Sequence, residues 1–217
     1  RVALPPGQSE LALLFGGPHT SHRFFVDGVE RGRLGVVSAR PDEAEMELRH
    51  RVYAFEDPGA ELEFLVQVAN FEFRSGGLKR IWYLGLPESV QAGHGKALLR
   101  EGLVLSVGVV IGFFYLLLFA FGPSERARSY FGMACLVAGL RVIPASISGL
   151  GDLIAPTMSF ELQVRVEYLG NALAFLAAAG YARTKVAGVA PPRLLWGLQL
   201  VALALAAILL VAPMDLI

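Results

Sequence analysis

The sequence predicts an antiparallel β-sandwich over residues 1–95, a short connector over 96–102, and an α-helical transmembrane bundle over 103–217. Charge gives the first sign: residues 1–100 hold 12 of the 19 basic and 13 of the 19 acidic side chains. The second is an uncharged run of 20 residues at 103–122. At about 1.5 Å per residue it crosses a hydrocarbon core of about 30 Å. The third is the pattern of the first 95 residues, short alternating segments separated by Gly, Pro and Asp, which is how a sandwich is written.

Candidate strands fall at 11–15, 22–26, 45–55, 61–69 and 79–84. Asp27-Gly28 after His22-Arg23-Phe24-Phe25-Val26 suits a tight hairpin. Gly16-Gly17-Pro18, Asp57-Pro58-Gly59 and Ser75-Gly76-Gly77 supply the other turns. In ELEFLVQV the residues Leu62, Phe64, Val66 and Val68 share one face, as a half-buried strand requires. In EMELRHRVYAF the same argument puts Met46, Leu48, Val52 and Ala54 together.

Three more apolar segments follow the first: 129–149 with the single charge Arg141, 160–182 with charges only in its first two turns, and 194–212 with none. Four spans are therefore expected. Arg126 and Arg128 lie in the loop 123–128; Arg183, Lys185 and Arg193 lie in 183–193; the loop 150–159 has no basic residue. The positive-inside rule turns the two basic loops to the cytoplasm and leaves residues 1–100 outside, although Lys96 and Arg100 flank the first span on the outer side. Tyr130, Tyr181 and Trp196 are interface anchors at the same cytoplasmic boundary.

Ionisable residues inside the spans point to function or pairing. Counted along ideal helices, Arg141 and Glu167 lie about 12 Å and about 10 Å below the outer face. An unpaired charge at membrane depth costs about 3 kcal/mol or more, so an Arg141–Glu167 ion pair between spans two and three is expected. The competing arrangement has Arg141 snorkelling outward and Glu167 facing a wet cavity. Glu161 and Arg165 are spaced to pair on one helix face. Gly108 and Gly112 form a small-xxx-small pair for close helix packing. Pro144 should kink span two, with Ser146 and Ser148 nearby to satisfy freed backbone groups.

Composition excludes several functions. Zero net charge without a basic stripe argues against nucleic-acid binding. One cysteine, Cys135, allows neither an intrachain disulfide nor a Cys-rich metal site. His19 and His22 have H-x-x-H spacing but no marked third ligand, so no metal is assigned. Gly93-His94-Gly95-Lys96 lacks the spacer and the Ser or Thr of a phosphate loop. The acidic stretch from Asp42 to Glu47 is a solvated loop entering a strand. No catalytic constellation and no cofactor motif emerge. What remains is ligand binding: Arg23, Asn70, Arg74 and Trp82 combine donors with an aromatic platform of the sort sugars or carboxylates use. Alternatively, Trp82 belongs to the core and Asn70 caps a bend.

The order of parts carries a family resemblance. VDGVERGRLGVV at 26–37, VQVANFEFRSGGLKRIWYLG at 66–85 and IGFFYLLLFAFGPSERARSYFGMACLVAGLR at 111–141 together resemble the bacterial seven-transmembrane receptors with diverse intracellular signalling modules. The resemblance implies a jelly-roll, galactose-binding-like outer domain that senses a carbohydrate or other small polar ligand. It also implies a bundle in the bacterial inner membrane that relays the signal to a cytoplasmic output module. No ligand residue transfers from the family.

The reading is therefore a receptor lying in the lipid bilayer, expected to be a homodimer and itself no enzyme. A chain that opens at Arg1 without Met and ends after four spans is expected to be processed or cut at both ends, with any catalytic module downstream of Ile217. Two rivals stand beside it. A transporter would show broken helices and an inverted repeat; Pro144 and Arg141 fit it and no repeat is evident. A membrane-anchored adhesion module would use the sandwich only to bind a partner.

Overall fold

The computed structural model describes residues 1–4, 10–15, 21–47, 49, 51–56, 59, 61–71, 82–146, 148–185 and 191–213. Two compact units divide the chain, one built on Arg1–Leu98 and the other on Leu99–Ser146 with Leu153–Pro213.

Among the described residues the first unit carries eight strands: β1 (Val2–Ala3), β2 (Glu10–Phe15), β3 (Ser21–Val26), β4 (Val29–Leu34), β5 (Arg51–Glu56), β6 (Glu61–Leu62), β7 (Phe64–Ala69) and β8 (Tyr83–Gly85). They pair as β5-β2-β8, β4-β3-β7 and β1-β6. Every pairing is antiparallel. The two three-stranded sheets contribute to one core, with Leu11, Leu13 and Phe55 from the first, Phe24 and Val26 from the second, and Leu62 from β6. Phe24 is its centre, 0% exposed. Its ring meets Tyr53 at 5.6 Å, Phe64 at 5.8 Å, Phe55 at 6.2 Å and Trp82 at 6.3 Å.

The β3–β4 hairpin turns at Asp27 and Gly28, whose φ angles of 50° and 78° are the positive pair that a two-residue primed turn needs. Asp27 does a second task. Its Oδ1 accepts from the Glu63 N–H at 2.8 Å and its own N–H donates to Glu63 O at 2.9 Å, at the break between β6 and β7.

Strand β7 half-buries alternate residues along 64–68, in step with Leu62, and ends on the buried Ala69. Strand β5 takes the parity opposite to the one expected: Phe55 is buried and Tyr53 half-buried, whereas Val52 and Ala54 are exposed. Two aromatic rings remove more apolar surface from water than a valine and an alanine, so they set the inward face. The expected strand 45–55 also divides. Pro41–Glu43 forms a 3-10 turn, Glu45 bridges Val36 beyond β4, and β5 pairs with β2 in the other sheet. The two ends of the expected strand thus belong to different pairings, Glu45 with Val36 and β5 with β2. β4 was not anticipated because VERGRL offers only Leu34 to the core. As an edge strand it can carry three charges, which also discourage edge-to-edge association.

Among the described residues five helices follow: α1 (Pro87–Phe121), α2 (Arg126–Leu140), α3 (Leu150–Ile154), α4 (Phe160–Lys185) and α5 (Pro192–Val211). The expected connector 96–102 is helical, part of α1. Pro87 at the first position, Glu88 in the first turn and the helix formers of AGHGKALLRE explain its early start. Among the described residues two helices, α1 and α5, are long and apolar enough to cross a membrane, and only 6% of α1's most apolar window is buried. Leu103, Val107, Val110, Phe113 and Phe114 are all more than half exposed. An apolar surface of that extent suits lipid, not water.

α2 stops at Leu140, nine residues before the expected end of span two. Pro144 does not kink a continuing helix; the turn tightens before it. Val142 N–H bonds Gly139 O and Ile143 N–H bonds Leu140 O, both i to i−3 contacts, in the region where Pro disfavours helical geometry for its predecessor.

Candidate functional site

In the first unit, β3 sends Phe24 into the core and its neighbours Arg23 and Phe25 to the opposite face. Arg23 donates from Nε to Glu30 Oε2 at 3.2 Å and pairs with the same oxygen through Nη2. Its guanidinium also lies 5.6 Å from the Phe25 ring centre. A cleft of about 420 Å³ opens here, lined by Arg23, Arg33, Gly35, Val36 and Val37. Gly35, at φ 63°, turns the chain out of β4 and donates its N–H to Glu47 Oε2 at 3.2 Å. Glu47 is in turn paired with Arg49 at 2.6 Å.

The other ligand candidates lie elsewhere. Trp82 packs edge-on against Phe24 on the core side, so it offers Arg23 no aromatic platform. Strand alternation is the reason: Phe24 and Arg23 point to opposite faces. Asn70 is exposed just past the end of β7. Arg74 and His19 lie outside the described residues. His22 is on the inward face, 1% exposed.

In the second unit α1 and α2 approach through glycines. A Cβ on Gly108 would stand 2.7 Å from Gly139 Cα, and one on Gly112 would stand 2.9 Å from Gly132 O and 2.5 Å from Leu136 Cγ. The backbones are close enough that only hydrogen fits. Gly132 and Gly139 complete this contact, which a reading confined to one helix does not find.

Beyond α2, the non-helical segment is held by two neighbours. Ser146 Oγ donates to Glu101 Oε2 of α1 at 2.7 Å, and Gln163 Nε2 of α4 donates to Pro144 O at 3.0 Å. Glu101 and Gln163 are each 8% exposed and Ser146 3%. Ser146 therefore meets a carboxylate, not the freed backbone groups expected. Glu101 was missed because it stands just before the uncharged run at 103–122, outside the segments whose charges were counted. Arg141 Nη2 lies 3.8 Å from Glu167 Oε1. That distance brings opposite charges together without a hydrogen bond. Arg165 pairs with Glu161 at 2.8 Å, as their spacing predicts, and its Nη1 donates to Leu209 O of α5 at 2.9 Å.

Basic and aromatic side chains gather where α4 ends. Arg183 lies 4.1 Å over the Trp196 ring and donates to Tyr130 Oη at 3.2 Å. Phe131 lies between Tyr115, edge-on at 4.6 Å, and Tyr181, tilted at 5.9 Å. Those three rings line a cleft of about 380 Å³ together with Glu125, Arg128 and Lys185. Cations against aromatic faces are favoured at the water boundary of a bilayer.

An antiparallel β domain followed by helices of which two are long and apolar enough to cross a membrane points to the class of membrane proteins. The chain belongs to the 7TM diverse intracellular signalling family, whose model matches residues 98–217, more than half of the sequence. That family is one of membrane signalling receptors. No curated protein and no solved structure matches the chain.

Proposed function

We propose that this chain is the sensing and membrane part of a receptor in the bacterial inner membrane. Its β domain, a jelly-roll of the carbohydrate-binding type, takes a small polar ligand outside the cytoplasm. Four spans, α1, α2 with the segment after it, α4 and α5, carry the change inward to a cytoplasmic output module. The chain performs no catalysis itself.

The observation that carries this reading is the family match over 98–217. Covalent continuity supports it. One residue, Leu86, separates β8 from α1, and α1 then runs 35 residues without interruption. Ligand binding in the β domain would reach α1 as a movement of β8. Such a movement transmits only if the ligand prefers one of two bundle arrangements. The segment 141–146, tied to α1 through Glu101 and to α4 through Gln163, is the natural element to differ between them.

Reporter fusions after Arg126 and Lys185, paired with one at the N-terminus, test the arrangement. Cytoplasmic activity at the two basic positions and extracytoplasmic activity at the N-terminus are expected. The reverse pattern overturns it, and solute uptake by vesicles carrying the chain would favour a transporter.

A further inference from the structure

The outer β domain carries two arginines where sheet energetics alone would not put them. Arg23 and Arg33 are direct partners across β3 and β4. Side chains of such partners stand on one face of the sheet, and like charges placed opposite each other destabilise the pairing. Both line the same cleft.

Local acids neutralise only half of this charge. Glu30 takes Arg23. Glu47 is held by Arg49 and by the Gly35 N–H. Glu43 is taken by Arg40 and Ser38. Among the described residues Arg33 has no ion pair and no hydrogen bond. The cleft thus holds two guanidiniums against one engaged carboxylate, a net charge of one positive.

Its remaining wall is apolar. Val36 and Val37 follow Gly35, and the backbone there is fixed by reciprocal hydrogen bonds between Val36 and Glu45, at 2.9 Å and 3.1 Å. A fixed apolar wall beside a guanidinium fork receives a molecule with a hydrocarbon or C–H face and a carboxylate at its edge. The fork geometry of Arg favours a carboxylate over a neutral hydroxyl, because two parallel N–H donors meet two oxygens.

We infer that the Arg23–Arg33 cleft binds the carboxylate of a small organic acid, either a uronic sugar or a free carboxylic acid, with Arg33 as the principal anion ligand. This rests on the receptor reading for its biological meaning, because it names the ligand class of the site that reading requires. It does not rest on that reading for its chemistry.

The test is a titration of the full chain in lipid nanodiscs with D-glucuronate, its neutral parent D-glucose, and citrate. Binding of glucuronate or of citrate is expected, with glucose at least about tenfold weaker and with affinity falling as salt rises. Arg33→Gln is expected to weaken the anion about tenfold or more, and Arg33→Lys to restore part of it. Arg33 is exposed, so these variants keep the core. Glucuronate without citrate identifies a sugar acid; citrate without glucuronate identifies a free carboxylic acid. Equal binding of glucose and glucuronate, indifference to Arg33→Gln, or binding of neither anion overturns the inference. A Trp82→Phe background leaves Trp196 as the lone tryptophan, in α5. Arg33-dependent binding with unchanged Trp196 emission keeps the anion site and rejects the receptor reading. Emission that changes with glucose alone does the opposite.

Discussion

Ser146 Oγ stands 2.7 Å from Glu101 Oε2 and donates to it, joining the segment after α2 to α1 through a carboxylate that is 8% exposed. Removing the donor leaves a buried carboxylate with a bond unmade, at a cost of about 1–3 kcal/mol. Ser146→Ala is therefore expected to lower the unfolding midpoint of the detergent-solubilised protein. With Glu101→Gln in a double-mutant cycle, the two positions should couple by about 0.5–3 kcal/mol. Strictly additive effects would show that the contact does not form in the membrane protein.

The α1–α2 contact makes a sharper test because it depends on backbone, not on mobile side chains. Gly108→Val drives a branched side chain into Gly139 Cα, 2.7 Å from the first added carbon, so the helices must separate. Overpacking of this kind costs about 1–3 kcal/mol. Gly93 of the same helix has open space around its Cα, and Gly93→Ala should instead stabilise by about 0.4–1 kcal/mol. Thermal melts of both variants separate helix propensity from helix contact; equal responses would remove the packing argument.

Arg141 and Glu167 make a charge-exchange experiment possible. Arg141→Glu and Glu167→Arg each set like charges face to face, and each is expected to reduce the folded fraction seen by size exclusion in detergent. Losing a partner at membrane depth costs about 3 kcal/mol on insertion scales. The exchanged pair should recover most of the loss. If it recovers none, the 3.8 Å approach is incidental.

Phe24 is the residue on which the β domain turns. Among the described residues four aromatic rings surround it, and none of its surface is exposed. Phe24→Ala should cost about 3–5 kcal/mol, enough to make the outer domain protease-sensitive while α4 and α5 remain protected. Unchanged proteolysis would mean that the two sheets do not depend on a shared core.

Much of this protein was legible from local pattern. The uncharged run beginning at Leu103 calls for a long apolar helix, which α1 supplies, and the Asp27-Gly28 pair has one favoured turn. The alternation from Leu62 to Val68 fixes which face of β7 is inward, because a strand's side chains repeat every two residues. The same rule misled in β5, where Val52 and Ala54 lost the inward face to Tyr53 and Phe55. Nothing local ranks two alternating apolar sets; the partner face around Phe24 does.

The site depended still more on tertiary structure. The sequence by itself determined that Arg23, Arg141, Glu167 and the glycines of α1 needed explaining, since charge in a span and glycine in a helix each carry a cost that can be counted along one segment. Only the fold decided their partners. It set Arg33 opposite Arg23 through a hairpin register shifted by a bulge between Phe24 and Phe25, took Trp82 into the core, and brought Glu101 to a serine 45 residues away. Pairings of that kind arise when separate segments close on each other, and no single window of sequence contains both halves.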